Sequence, residues 1–337
     1  MTNQHGDDYQ GALKANFSSN MWNGADNTAL YEHLSTRLNK TVRYPEQNAE
    51  SLKSILGKIH SLKPDQISIG NGSIDIIYRV AQAYYGKKSI IVSPTFSEYA
   101  KACQVNRQEI RTCKPENMHV EMDTFQPDLV WICNPNNPDG TCLDKKHLQD
   151  LILSYPLVNF IIDQSFADFT LQETLAGTSV SEQTNLMLIY SLTKRYSIPG
   201  LRIGYVLASI PLINQLDRYK IPWSVNTLAI EAGNFLLSTE DKSPDLKAWL
   251  TDAIHFQDAI NRIGIFETLP SLTPFFMVKL LKGKSACLKT FLLKEDILIR
   301  DANNFEYGIG EFIRLNTLSE SENNLLIEKL IEWKNTL

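Results

Sequence analysis

Short apolar runs of strand length alternate with amphipathic helical segments through the first two thirds of the chain. The clearest apolar runs lie at 66–70, 88–94, 129–133, 157–163 and 185–190. Polar or turn-forming residues follow each of them. Apolar residues recur at helical spacing through 49–60 and 74–85. Strands that alternate with helices in this way predict an α/β fold, with a mostly parallel sheet covered by helices on both faces.

The pattern changes after residue 207. Helical periodicity then prevails, and shorter apolar strands follow it at 273–280, 297–303 and 311–317, before a last helix at 321–333. The C-terminal third therefore predicts a smaller α+β domain. We divide the chain into an N-terminal arm that begins the small domain (1–44), a large domain (45–222) and a C-terminal small domain (223–337).

Composition describes an ordinary globular protein that can build a sizeable core, with 337 residues, 43% hydrophobic and 21% charged. The net charge of −5 and the absence of basic clusters argue against nucleic acid or a membrane surface as partner. No apolar run approaches the roughly 20 residues that span a bilayer. The five cysteines show no C-x-x-C pair, so neither a disulfide framework nor a metal site is expected, and the predicted location is the cytoplasm.

Candidate chemical groups follow the predicted strands of the large domain. The turn at Gly72-Ser73 leaves backbone amides free before a helix, which suits an anion, although a plain tight turn has the same composition. Asn137 lies in a loop rich in asparagine and proline, and Asp163 ends a strand, where it could also be a helix cap. Ligands bind beyond the carboxyl ends of parallel strands, so these groups are expected to meet at one site.

The segment 191–204 reads SLTKRYSIPGLRIG and places Lys194 in a loop between two apolar stretches. Burial there would lower the pKa of the amine and make it a usable nucleophile toward carbonyls. Arg202 can supply a fixed cation, and the hydroxyls of Ser191 and Thr193 can donate to a phosphate.

Ser-x-Thr-Lys followed by Gly-Leu-Arg-x-Gly resembles the lysine motif of the fold-type I aminotransferase superfamily, whose cofactor is pyridoxal phosphate (PLP). The resemblance covers nearly the whole chain, in the superfamily's order, through GNGS, SPTFSEY, NPNNPDGT, the Asp163 strand and FIRL. It implies that Lys194 carries the cofactor, that Asp163 faces the ring nitrogen, that Phe96 stacks on the ring and that Asn137 donates to the ring hydroxyl. The phosphate would be held by Gly72, Ser73, Ser191, Thr193 and Arg202.

A narrower resemblance, to the L-threonine-O-3-phosphate decarboxylase family of cobalamin biosynthesis, rests on HGDDY, NFSSN, RYP, SLTKRYSIPGLRIGY, IPWSVN and ILIRDAN. It implies decarboxylation of threonine phosphate to aminopropanol phosphate, with the substrate held by His5, Asn20, Asn137, Arg300 and Arg314. Tyr44 would reach the cofactor phosphate of a neighbouring subunit, which predicts a homodimer. Which arginine takes the carboxylate and which takes the phosphate stays open.

Some positions depart from these families. Gln164 stands where the decarboxylases commonly have Glu, and HGDD replaces His-Gly-Gly. Phe166 replaces the tyrosine that contacts the ring hydroxyl in many aminotransferases, including histidinol-phosphate aminotransferase. The alternatives are a histidinol-phosphate-type or other class I/II aminotransferase, and a catalytically silent relative. Decarboxylation and transamination differ in which bond of the α-carbon stands perpendicular to the ring, and the sequence leaves this open.

Overall fold

The structure is a computed structural model that describes residues 6–7, 9–239, 245–305 and 309–337. The strands are β1 (Ala15–Asn16), β2 (Ile67–Gly70), β3 (Lys88–Val92), β4 (Glu109–Cys113), β5 (Leu129–Cys133), β6 (Asn159–Asp163), β7 (Leu186–Ser191), β8 (Gly204–Ala208), β9 (Phe266–Thr268), β10 (Phe275–Leu280), β11 (Ile297–Leu298), β12 (Arg300–Asp301) and β13 (Glu311–Asn316). The α-helices are α1 (Thr28–Ser35), α2 (Glu50–His60), α3 (Ser73–Ala83), α4 (Glu98–Val105), α5 (Met118–Phe125), α6 (Lys145–Ser154), α7 (Ser179–Glu182), α8 (Leu192–Arg195), α9 (Ile210–Asp217), α10 (Thr227–Ser238), α11 (Leu246–Arg262), α12 (Ser285–Leu293) and α13 (Glu320–Lys334). Short 3₁₀ helices cover Leu38–Val42, Pro64–Gln66, Pro115–Asn117, Ala167–Phe169, Pro199–Leu201 and Asn303–Phe305.

The large sheet has seven strands in the order β2-β8-β7-β6-β5-β3-β4. β8 runs antiparallel to both of its neighbours, and the other pairs are parallel. Along β5, Val130 and Ile132 belong to one apolar cluster, whereas Leu129 and Trp131 belong to another, because side chains alternate between the faces of a strand. Helices cover both faces, so the predicted mostly parallel α/β sheet is confirmed.

The register of β5, β6 and β7 sets the position of the candidate residues. Cys133 lies opposite Asp163, and Asp163 lies opposite Ile189, two positions before β7 ends at Ser191. Because these strands are parallel, Asp163 and the segment that carries Lys194 leave the sheet at the same edge.

A second, antiparallel sheet has the strand order β12-β13-β10-β9 and a core of its own with α11, α12 and α13. The N-terminal arm belongs to this core, since β1 pairs in parallel with β11 and Phe17 is fully buried there. By contrast, α10 packs against α2 and adds Ala229 and Ile230 to a core of the large sheet. The proposed boundaries at residues 44 and 222 stay predictions.

Two further features bear on the setting of the protein. All five cysteines lie within the described residues, and each is a free thiol. In the described ranges, no helix combines the length and the apolar character that a bilayer crossing requires.

The arm should contribute strongly to stability through Phe17. Its side chain is 0% exposed, its ring lies 5.9 Å from that of Phe256, and its amide donates to the Leu298 carbonyl at 2.8 Å. Phe17→Ala should lower the free energy of unfolding by about 3–5 kcal/mol, because it leaves a cavity in a packed core. Urea denaturation measures this. The control Tyr31→Ala removes a ring that is 62% exposed and should change stability by no more than about 0.5 kcal/mol, whereas equal effects of the two changes would contradict the prediction.

Candidate active site

A cavity of about 210 Å³ lies at the carboxyl ends of the large-sheet strands, beneath the N-terminal arm. Predicted site residues line it: Asn20, Ser73, Phe96, Asn137, Asp163, Ser191, Thr193, Lys194, Arg202 and Arg314. A larger surface depression, of about 810 Å³, is lined by residues of α6 and contains none of the predicted site residues. The smaller cavity is therefore the candidate active site.

Lys194 lies in α8, the single helical turn that directly follows β7. Its main-chain carbonyl accepts a hydrogen bond from the Trp22 amide at 3.2 Å, so the arm holds this turn in place. The amine nitrogen lies 5.9 Å from the ring centroid of Phe166. The side chain of Lys194 therefore lies in the cavity and not on the protein surface.

This environment changes the acidity of the amine. Burial is the main reason that the pKa of Lys194 is lowered to about 8, and the charges of Arg314 and Arg202 act in the same direction. Asp163 and Asp7 oppose the change, with smaller effects. A lysine with this pKa has an appreciable neutral fraction near neutral pH, and the neutral amine is the form that attacks carbonyls.

Asp163 is the last residue of β6 and is 4% exposed. Its Oδ2 accepts a hydrogen bond from the Tyr99 hydroxyl at 2.7 Å, and its Oδ1 accepts one from the Ser165 amide at 2.9 Å. Burial raises the pKa of Asp163, whereas the side chain of Ser165, these two hydrogen bonds and the charge of Lys194 act to lower it. A cationic ligand group beside the carboxylate would offset the cost of its burial.

The turn before α3 and the side chain of Arg202 are in close contact. Gly72 has a φ of +79°, and a Cβ at this position would collide with the Arg202 guanidinium. A Cβ at Gly204 would lie 2.5 Å from the Ser73 amide nitrogen. Glycine at both positions therefore allows the turn, β8 and Arg202 to approach one another. The donors around this turn, of the kind found in phosphate sites, are the Ser73 amide, Arg202, Ser191 and Thr193.

Arg314, on β13, is a buried cation with neutral partners. Its Nη1 donates to Asn137 Oδ1 and its Nη2 donates to the Ser18 carbonyl, each at 2.5 Å. Its Nε has no hydrogen-bond partner among the described residues. Burial, and then the charge of Arg300, lower the pKa of Arg314 to about 9. An anion bound beside this guanidinium would relieve the cost of burying it.

Asn20 is a second group that lacks a partner. The residue is 2% exposed, yet within the described chain neither Oδ1 nor Nδ2 of its amide forms a hydrogen bond. A buried polar group left in this way costs about 1–3 kcal/mol. Because Asn20 lines the cavity, a polar ligand could satisfy it.

Gly72, Arg300 and Tyr44 are predicted at the site but are not among the residues that line this cavity. Arg300 pairs with Arg314 across β12 and β13, so the two buried guanidinium groups stand on adjacent strands. Tyr44 is 82% exposed and contacts Trp223, with 5.1 Å between the ring centroids. His5 lies outside the described residues.

Tyr99, Ser18 and Ser165 also line the cavity, although none of them is predicted as a site residue. Tyr99 and Ser18 lie within the motifs SPTFSEY and NFSSN, and Tyr99 follows Phe96 at helical spacing. Neither the hydrogen bond of its hydroxyl nor the approach of Ser18 can be inferred from local pattern, since both join distant parts of the chain.

This set of side chains fits PLP. Lys194 can attach an aldehyde, Asp163 can hold a proton on a ring nitrogen, and the donors around Gly72 can bind a phosphate. The amide of Asn20 and the Nε of Arg314, which have no hydrogen-bond partner among the described residues, remain for a further anionic ligand.

The family described as aminotransferase class I and II matches residues 14–330. The chain therefore belongs to the class I and II aminotransferase family, which confirms the family that its motifs predict. Among solved structures, it is similar to the L-threonine-O-3-phosphate decarboxylase from Porphyromonas gingivalis, at 35% identity and a TM-score of 0.92, over 95% of this chain and 99% of that one.

Curated relatives include both enzyme types considered above. The threonine-phosphate decarboxylase of Salmonella typhimurium is 28% identical, over 86% of this chain and 82% of its own length. The histidinol-phosphate aminotransferase of Thermoanaerobacter sp. is 27% identical, over 86% of this chain and 84% of its own length.

The pKa of Lys194 predicts how its reactivity depends on pH in the cofactor-free protein. At a pH below its pKa of about 8, the Lys194 amine is mostly protonated. Labelling by trinitrobenzenesulfonate should therefore rise about tenfold per pH unit up to that value and then level off. Peptide mass spectrometry measures the rate at Lys194.

Arg314→Gln removes one of the charges that lower this pKa, so the midpoint for Lys194 should move to higher pH. Lys146 is an internal control, because its hydrogen bond to Asp150 raises its pKa and it should titrate above Lys194 in both proteins. Equal midpoints for the two lysines would contradict the prediction.

Proposed function

We propose that this chain decarboxylates L-threonine O-3-phosphate to aminopropanol O-phosphate, with PLP as cofactor, as a step of cobalamin biosynthesis. The observation that carries the proposal is Arg314, a buried cation with neutral described partners, in the same cavity as Lys194 and Asp163. An amino acid with both a carboxylate and a phosphate supplies the anions that such a cavity favours. Similarity to a threonine-phosphate decarboxylase over 95% of the chain supports the reaction type.

In this proposal the cofactor is held from several sides. Lys194 carries it, Asp163 faces the ring nitrogen, Phe96 covers the ring, and the donors around Gly72 hold the phosphate. Asn137 accepts from Arg314 through Oδ1, which leaves its Nδ2 as a donor for the ring hydroxyl. The phenyl ring of Phe166 offers no hydrogen bond there, so Asn137 is the proposed donor to that hydroxyl.

The substrate would lie between the cofactor and the arm. Arg314 and Arg300 are the proposed partners of its two anionic ends, because a guanidinium matches carboxylate and phosphate oxygens equally well. Asn20 offers a donor and an acceptor, neither of which has a partner in the described chain. His5 is proposed to complete this side of the site.

When bound, PLP supplies an electron sink for the α-carbon of the substrate. The arginines fix both ends of the substrate and so decide which bond of the α-carbon stands perpendicular to the ring. With the carboxylate in that position, the bond between the α-carbon and the carboxylate carbon breaks and carbon dioxide leaves. The α-carbon then takes a proton. The Nζ of Lys194 can donate it, because a pKa of about 8 leaves most of this amine protonated at pH 7.

A histidinol-phosphate-type aminotransferase is the second candidate. The specific observation in its favour is the 27% identity to such an enzyme over 86% of the chain. It would use the same lysine and carboxylate but remove a proton from the α-carbon, and it would need a 2-oxo acid to complete each cycle.

The proposed assembly is a homodimer in which Tyr44 completes the phosphate site of the neighbouring subunit. Tyr44 and Val42 are 82% and 83% exposed, and they line one surface depression with Trp223, which is 45% exposed. Exposed apolar clusters of this kind are typical of contact surfaces between proteins. Because Tyr44 does not line the cavity of its own chain, its side chain can contact the phosphate site of the neighbouring subunit.

The proposed location is the cytoplasm. Free thiols at all five cysteines are typical of reducing compartments. The net charge of −5 fits a protein that handles a small metabolite without binding nucleic acid.

The reaction type can be tested with L-threonine O-3-phosphate as the only substrate. The loaded enzyme should release carbon dioxide and aminopropanol phosphate over many turnovers with no oxo acid, because decarboxylation regenerates the cofactor form that began the cycle. Isotope-labelled carbon dioxide and phosphate-detected NMR measure the two products. The Lys194→Ala protein is the control and should release neither.

An aminotransferase would behave differently in the same experiment. It would stop after one half-reaction until 2-oxoglutarate was added. No carbon dioxide from threonine phosphate, together with oxo-acid-dependent turnover of histidinol phosphate, would refute the decarboxylase and favour the second candidate.

A shared site predicts complementation between two impaired subunits. Lys194→Ala and Tyr44→Ala proteins should each have low activity, but in a mixed dimer one site has Lys194 from one subunit and Tyr44 from the other. Co-expression should therefore restore activity to about one quarter of the wild-type value, as random pairing gives one good site per mixed dimer. Gel filtration with light scattering checks the dimer, and failure to complement in dimers that contain both variants would refute the shared site.

A further inference from the structure

Tyr99 connects the two side chains that are proposed to hold the cofactor ring. Its hydroxyl donates to Asp163 Oδ2 at 2.7 Å. Its ring meets the Phe96 ring edge-on, with 5.7 Å between the centroids and an angle of 86°. The Tyr99 amide also bonds to the Phe96 carbonyl at 3.3 Å, so one turn of chain joins both contacts.

The side chain of Tyr99 has little freedom to move. It is 1% exposed, and its ring stacks on Trp131 with 5.6 Å between the centroids and an angle of 23°. Trp131 lies on β5 and is itself buried. Burial raises the pKa of the Tyr99 hydroxyl well above its usual range, so the group remains a donor throughout the pH range of an active enzyme.

We propose that Tyr99 is a positioning residue that keeps Asp163 as an oriented carboxylate. The inference rests on the proposed function in one respect, namely that Asp163 faces the ring nitrogen of PLP. Each Asp163 oxygen accepts one hydrogen bond from the protein, from Tyr99 or from the Ser165 amide, and together these two bonds fix the plane of the group. The remaining lone pairs are available to a ligand in the cavity.

The ionised state of Asp163 depends on the groups around it. The titratable groups that face it are Tyr99 from α4, Cys133 from β5 and Lys194 from α8. Burial raises the pKa of the Cys133 thiol, so this neighbour is neutral. Burial of Asp163 favours its protonated form, whereas interactions with Ser165, the Tyr99 hydrogen bond and the Lys194 charge favour the carboxylate. Loss of the hydroxyl should therefore move the pKa of Asp163 upward.

Tyr99→Phe tests this role, because it keeps the stacked ring and removes only the hydroxyl. The readout is the Kd of PLP for the cofactor-free protein, measured by fluorescence titration from pH 6 to 9. We expect the Kd to rise about tenfold at neutral pH, the size expected for a lost hydrogen bond to a charged group. The loss should grow as the pH falls, since more Asp163 is then protonated.

Tyr78→Phe is a matched control. The Tyr78 hydroxyl donates to a different carboxylate, Glu98 Oε2 at 2.9 Å, and Tyr78 does not line the cavity. Its loss should leave the Kd and its pH dependence unchanged within about twofold. Tyr99→Met also lacks the hydroxyl and must weaken binding with the same pH dependence, so either Tyr99 variant suffices if the other does not fold.

A double-mutant cycle separates positioning from a general structural role. In the Asp163→Asn background, Tyr99→Phe should change the Kd by less than about twofold, because Tyr99 acts through the carboxylate. A tenfold loss that persists in that background would overturn the inference. So would an unchanged Kd at every pH in the otherwise wild-type protein. A wild-type chain that binds no PLP at all would instead refute the proposed function, and the two failures are therefore distinguishable.

Discussion

Lys194, Arg202 and Arg314 share one small cavity, and Asp163 is the carboxylate among its described lining residues. Two like unit charges about 4 Å apart repel by about 4 kcal/mol at an effective dielectric constant of 20, so an excess of cations is costly. Burial is the main cause of the lowered pKa values of Lys194 and Arg314, and the neighbouring cations lower both values further. Anionic ligands remove this cost, and the protein should therefore be more stable when loaded than when empty.

The two sheets of the fold hold these cations in place despite their mutual repulsion. Parallel strands deliver Asp163 and the Lys194 turn to one edge of the sheet, where neither can move without disturbing a buried strand. Glycine at 72 allows the turn to approach Arg202 closely, and glycine at 204 allows β8 to approach the Ser73 amide. On the opposite side, β13 carries Arg314 from a separate core. The charges are thus held by two sheets whose packing does not depend on the cavity.

Local pattern predicts the part of this arrangement that depends on neighbours in sequence. Asp163, Lys194 and Arg202 could be identified because strand ends and short motifs are local features. The position of Arg300 could not, because it depends on the pairing of β12 with β13. Periodicity identifies α10 as a helix, yet only tertiary contacts show that Ala229 and Ile230 face the core of the large sheet. The hydrogen bond from Tyr99 to Asp163 likewise joins α4 to β6, which are distant in the sequence.

The hydrogen bond from Arg314 to the Ser18 carbonyl joins residues 296 positions apart. Contacts at such separation close a very long loop, and the entropy cost of that closure comes before the contact can stabilise the chain. Chains fold in part as they are synthesised, from the N-terminus onward, and the strands of the large sheet emerge well before β13. Phe17 in the arm therefore stays exposed until the C-terminal strands that bury it have been synthesised. A ribosome that stops early releases a chain that contains the reactive lysine but not the pocket around it, and exposed apolar surface of this kind marks such a chain for chaperones and proteases.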